Sequence, residues 1–152
     1  MIPGQKYTVT VPAGVGVAAP ASNFDLFQIA PGSGVPLYLH RVTCSAAQVS
    51  AVSIPIALMR RSSASTVSVG SVTPVNDSPA GPAASAVITY CLTTLGTAGT
   101  VIDAPMWEEF APYDFNYYPD GKIIVPGTWC CLYMANSAIF QAGFTIEFTE
   151  VK

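Results

Sequence analysis

His40 is the single histidine in 152 residues, so any Ser or Cys nucleophile activated by an imidazole must be served by it. That chemistry needs a carboxylate to orient the ring and a nucleophile within hydrogen-bond reach. The local sequence YLHRVTC (Tyr38 to Cys44) contains no nucleophile elbow and reads as a strand in which His40 alternates with Leu39 and Arg41. His40 is therefore expected to be a satisfied structural side chain. It makes no metal site with Cys44, because four residues of strand span ~13 Å at about 3.3 Å each. Glycoside hydrolysis asks for two carboxyl groups about 5 to 10 Å apart across a sugar. Glu108 and Glu109 diverge on an extended chain, which leaves Asp103, Asp114 and Asp120 to meet one of them only through the fold. The glycines of AGVGVAAP (Ala13 to Pro20) are wrongly spaced for a phosphate loop, and no GK[ST] is present. The expectation is no enzyme, no cofactor and no metal.

MWEEFAPYDFNYYPDG, Met106 to Gly121, concentrates six aromatic side chains and four acids in sixteen positions. Trp107, Tyr113, Tyr117 and Tyr118 have the chemistry of a sugar-stacking platform, with the acids available to hydroxyl groups. An ordinary sandwich would instead bury half of the aromatics and scatter the rest. The strip keeps neither a period of 2 nor of 3.6 for more than a few residues. Its richness in Trp, Tyr and Phe is that of an interface core. Trp107, Phe110, Tyr113, Phe115, Tyr117 and Tyr118 are accordingly expected to form a contact surface, rimmed by Glu108, Glu109, Asp114 and Asp120.

Composition removes several function classes. Charged residues make up 10% of the chain, against roughly 25% in an average globular domain. Six Lys and Arg against nine acids leave a net charge of −3 and no basic stripe, which speaks against nucleic acid and against an anionic membrane surface. A spanning helix needs roughly twenty apolar residues; the best stretch, Ser45 to Met59, carries Gln48 and Pro55 and runs into Arg60 and Arg61. Lys6 to Ser22 faintly resembles a signal peptide, but it lacks leucine and holds Pro12, Gly14 and Gly16, so it reads as a mature strand and loop. Cys44, Cys91, Cys130 and Cys131 fit no zinc pattern. In a secreted protein they could form disulfides; the expectation is reduced, mostly buried thiols in a protein assembled in a reducing cytoplasm, with Cys130 and Cys131 on opposite faces of a strand.

Thirteen prolines leave hardly any window for a helix. KYTVTV (Lys6 to Val11) and GFTIEFTEV (Gly143 to Val151) alternate as half-buried strands, the first with Tyr7, Val9 and Val11 inward, the second with Phe144, Ile146 and Phe148. Phe24–Ala30, Val35–Cys44, Ser53–Arg61, Ala86–Thr94, Lys122–Pro126 and Thr128–Met134 are further β-branched or aromatic runs bounded by turn residues. The expected fold is all-β: a single antiparallel β-sandwich domain over residues 1–152, jelly-roll-like, with about eight to ten strands. Gly70 to Ala86, with three prolines and no aromatic, is expected to be one long extended loop, and the aromatic strip an irregular arm.

One layout spans nearly the whole chain: an N-terminal alternating strand, DLFQI, LHRVTCS leading to IALMRRSS, a TPVNDSPAGPAAS loop, GTVIDAPMWEEFAPYDFNYYPDGKIIVPG, and a final TIEFTEV. It resembles the jelly-roll capsid decoration, or cement, proteins of tailed bacteriophages and related small phage virion proteins. The resemblance implies a viral structural protein made in the bacterial host cytoplasm. It implies a homotrimer attached to the major capsid protein on the outer capsid surface of the virion, where capsomers meet. Met1, Ile2 and Pro3, together with Pro79 and Pro82 of the Pro-rich loop, would act as arms reaching a neighbour, since proline already restricts them. The competing expectation is a phage neck, tail or receptor-binding module that binds carbohydrate.

Overall fold

The structure, a computed structural model, describes residues 4–12, 23–48, 53–108, 111–135 and 141–151. These contain thirteen strands and no helix: β1 (Gln5–Val11), β2 (Phe24–Ala30), β3 (Leu37–Gln48), β4 (Ser53–Arg61), β5 (Gly70–Val72), β6 (Val75–Asn76), β7 (Val87–Leu92), β8 (Ala98–Asp103), β9 (Met106–Glu108), β10 (Tyr113–Asn116), β11 (Lys122–Ile124), β12 (Trp129–Met134) and β13 (Gln141–Glu150). Every ladder is antiparallel. One sheet runs β10-β3-β13-β1-β6, with β11 continuing along β3; the other runs β5-β7-β2-β12-β4-β8, with β9 also on β4.

Apart from the β5–β7 excursion, the chain visits the sheets in the winding order of a jelly roll. The sheet of β1, β13, β3 and β10/β11 faces the sheet of β2, β12, β4 and β8/β9. The excursion adds β6 beside β1 and β5 with β7 beside β2, so it widens both sheets at the same side.

Alternation explains the core. Tyr7, Val9 and Val11 of β1 and Phe144, Ile146 and Phe148 of β13 are buried together, as the sequence indicated. They meet Phe24, Leu26, Phe27 and Ile29 of β2 and Leu132 and Met134 of β12. Tyr7 stacks on Phe148 at 5.4 Å, and Phe27 meets Phe144 at 5.1 Å between ring centres. Each such side chain contributes roughly 1.5–3 kcal/mol by leaving water.

The phase of β3 breaks at His40. Leu37 and Leu39 point into the core, and so do Val42 and Cys44. The register against β13 pairs Phe148 with Leu39 and Glu147 with Arg41, which makes His40 the extra residue of a β-bulge. His40 and Arg41 consequently share the outer face, where strict alternation would separate them.

The Pro-rich stretch is not one extended loop. Gly70–Val72 and Val75–Asn76 are strands, and residues 77–86 are tied down. Glu150 Oε1 accepts hydrogen bonds from Ser85 N at 2.8 Å, Ser85 Oγ at 2.9 Å and Ala86 N at 2.6 Å. Tyr7 Oη and Asn76 Nδ2 both donate to the Pro82 carbonyl, at 3.1 and 2.8 Å. Pro79 and Pro82 are both exposed, and the Pro82 carbonyl is tied to the sandwich through Tyr7 and Asn76.

Candidate functional site on the outer face of the six-stranded sheet

The aromatic strip is the crossing from one sheet to the other, not a free arm. β9 pairs with β4, and β10 pairs with β3 on the facing sheet. Two of the expected contact residues are core. Trp107 is 1% exposed and Phe115 2%. The Trp107 indole Nε1 donates to the Ala111 carbonyl at 2.8 Å, and Phe115 stands opposite Val42. A side chain this large gains more by filling the sandwich than by standing in water, and the irregular spacing follows from the change of sheet. Tyr113 and Tyr117 are half-buried, and Tyr118 is 44% exposed. Phe110, Met1, Ile2, Pro3 and Glu109 lie outside the described residues.

Around Tyr118 the geometry becomes specific. β10 pairs Asn116 with Arg41 and β11 resumes with Lys122 opposite Leu39, so the five residues 117–121 stand against His40 alone. The loop is closed by Tyr117 N donating to the His40 carbonyl and Gly121 N donating to the Tyr117 carbonyl, both at 2.8 Å. It contains a cis Tyr118-Pro119 peptide, and Gly121 takes a φ of +72°, a region open to glycine at no steric cost. The Tyr118 ring stacks on the His40 imidazole at 4.9 Å and 11°, leaving His40 5% exposed. His40 Nε2 lies 2.8 Å from Thr149 Oγ1, while Nδ1 has no hydrogen-bond partner.

Charges of alternating sign extend from this pair across four strands. Lys6 Nζ on β1 lies 3.1 Å from Glu147 on β13 and 3.5 Å from Asp77 after β6. Arg41 grips Asp114 on β10 with two parallel hydrogen bonds, Nε at 2.9 Å and Nη2 at 2.8 Å, and its Nη1 stands 3.9 Å from Glu147. Tyr118 Oη donates to Glu147 Oε2 at 2.6 Å. Burial raises the proton affinity of Glu147, but the Tyr118 hydroxyl and the Lys6 ammonium outweigh it, and the carboxyl is held below its usual range. The hydrogen bond to Tyr118, opposed by burial and joined by Glu147, holds Lys6 above its usual range. The face presents ion pairs of alternating sign around the stacked Tyr118 and His40.

Two of the other named carboxylates are also engaged: Asp103 Oδ2 accepts from Tyr117 Oη at 3.4 Å, and Asp114 is held by Arg41. Cys44 faces the core while His40 faces outward. Among the described residues no three His, Cys, Asp or Glu side chains gather as a metal site. All four cysteines are buried, and none forms a disulfide. Cys130 sits in the core, where burial pushes its thiol up to about 12; Cys131 turns to the opposite face, beside Gln28 at 3.8 Å.

Sequence reasoning missed a second polar cluster, on the outer face of the other sheet. Arg61 binds Asp25 through Nε at 2.8 Å and Nη2 at 2.7 Å, with the two side chains 3% and 0% exposed. The Ser65 hydroxyl donates to Asp25, Ser65 N donates to Gln28 Oε1 at 2.7 Å, and Arg61 Nη1 reaches the Gly96 carbonyl at 2.9 Å. An aspartate in FDLFQIA was the available signal, since a carboxylate inside an apolar strand demands a cationic partner.

The exposed apolar side chains gather at the sheet edges. Val101 on β8, Met106 on β9, and Ile123 and Val125 at β11 lie along one edge. Val67, Val69 and Val75 lie at or beside β5 and β6 on the other, with Val87 on neighbouring β7. Comparison with known proteins gave no matching family, no matching curated protein and no matching solved structure.

Proposed function

We propose that the protein is a virion structural protein: a capsid decoration, or cement, subunit that binds the outside of a tailed-phage head as a homotrimer and bridges capsomers through the major capsid protein. The observation that carries this reading is the placement of exposed apolar surface. Of the nine large apolar side chains left exposed among the described residues, all but Tyr118 lie at or beside the sheet edges. β8, AGTVID, is an edge strand with no Lys, Arg or Pro to discourage pairing. Interface cores are likewise poor in charge. The mechanism is adhesion by area and multiplicity. A standard contact buries about 800 Å² per partner, and three copies about one axis raise avidity by ~10² or more. A subunit that prefers the expanded shell stabilises it by mass action.

Sedimentation tests this reading. The wild-type chain is expected to run as a trimer and to co-pellet with expanded shells; Val101→Lys is expected to stay folded and lose one or both. Wild-type behaviour of that variant would move the contact off β8, and a wild-type monomer that ignores shells would reject the reading. The receptor-binding alternative is weaker on this geometry. Trp107 is inside the core, and the Tyr118 ring is already stacked on His40 and approached by Lys6 Nζ at 5.5 Å. Glycan-array binding would revive it.

A further inference from the structure

His40 is covered from every side by named groups. Tyr118 and Gly121 of the loop lie over it, Thr149 and Glu147 approach from β13, Lys6 from β1, and Arg41, neutralised by Asp114, follows it on β3. A Cβ added at Gly121 would come within 3.1 Å of His40 Nδ1, so the loop backbone closes directly over the nitrogen that has no partner. Nothing about the strand pairing requires this arrangement. β10 and β11 hold the same edge of β3 before and after His40, and residues 117–121 belong to neither ladder.

We propose that His40 and Tyr118 form an acid-released latch, in which a proton taken from solvent at Nδ1 lifts the 117–121 loop off the outer face of the six-stranded sheet. An Nδ1–H under the closed loop is a buried donor with no acceptor, so in this proposal the neutral ring carries its proton on Nε2 toward Thr149 Oγ1, and a second proton at Nδ1 costs far more than in water. The new imidazolium also stands near the Lys6 ammonium. Glu147 and the Tyr118 ring face attract the cation, but burial, reinforced by Lys6, holds the imidazole below its ordinary value of 6.5. The sign follows: the closed loop is fully favoured above pH 6.5, and its advantage is lost as pH falls below that value. Opening gives Nδ1 water, frees the Tyr118 hydroxyl from Glu147, and breaks the hydrogen bond from Tyr117 N to His40. The device would make a surface contact through this loop sensitive to mild acid.

Amide hydrogen exchange reads the latch directly, because Tyr117 N and Gly121 N donate the two bonds that close the loop. After correction for intrinsic exchange, protection of these two amides is expected to fall about tenfold between pH 7.5 and pH 5.5, with the β13 amides unchanged. His40→Asn is expected to remove the pH response. If the same response persists in His40→Asn, the latch is wrong. Should that variant fail to fold, the imidazole of the wild-type chain can be titrated by NMR. Loop amide shifts that follow the His40 titration, with a midpoint below 6.5, support the proposal. An imidazole that titrates while Tyr117 and Gly121 stay protected overturns it.

Discussion

Each sheet carries ion pairs on its outer face, and the two sets do opposite things. Asp25 and Arg61 are held by Ser65, which follows β4, and by the Gly96 carbonyl, which follows β7, with both side chains almost fully buried. Lys6, Arg41, Asp77 and Asp114 keep about four-tenths of their side chains in water, and Glu147 a fifth. In the sealed cluster, charge is tolerated because the fork geometry and the added hydrogen bonds replace lost hydration. In the open one, each pair contributes little, and its value is the pattern it shows to solvent. The first is a structural tie; the second leaves its charges and Tyr118 open to solvent.

The largest expected effects break the sealed side. Asp25→Ala strands Arg61 and is expected to cost about 3–5 kcal/mol in denaturant unfolding, while a joint Asp25→Leu, Arg61→Met replacement recovers most of that loss. Full recovery failure would mean that the cluster does more than cross-link. Trp107→Ala is expected to cost a similar ~3–5 kcal/mol, because the residue fills the core; a stable variant that only loses self-association would return it to the surface role its sequence suggested. Glu150→Ala removes the acceptor of three hydrogen bonds and is expected to cost about 2 kcal/mol, with exchange protection lost at Ser85 and Ala86 and retained in β3. Lys6→Ala, on the open face, is expected to stay within about 1 kcal/mol and to lose even that in high salt. Acid sharpens the contrast. Glu147 is held below its ordinary value of 4.5, so its contribution is complete above that pH and disappears as pH falls through the lower folded value. Glu147→Gln is expected to flatten that part of the stability profile.

The parts of this fold legible in the sequence are those where one strand stays on one sheet. β2 and β4 match their expected bounds, and the alternation in β1 and β13 gave the inward faces correctly. The rest failed for physical reasons. His40 and Arg41 share a face only because of a bulge, which no period of two can show. The strip from Met106 to Gly121 looked irregular because it leaves β4 of one sheet, joins β3 of the other and loops out opposite a single residue. β5 and β6 are three and two residues long, too short to alternate, and β8 lies in water along nearly its whole length. His40 was expected to be a satisfied side chain; Nε2 is bonded and Nδ1 is not, a distinction that only the loop's position decides.

The most direct measurement is mass spectrometry, with copy number, of particles purified from cells that produce this protein. A cement role gives the chain in hundreds of copies per particle, scaling with capsomer number. A few multiples of three, six or twelve would place it at a neck or tail, and its absence from purified particles would contradict the virion reading altogether.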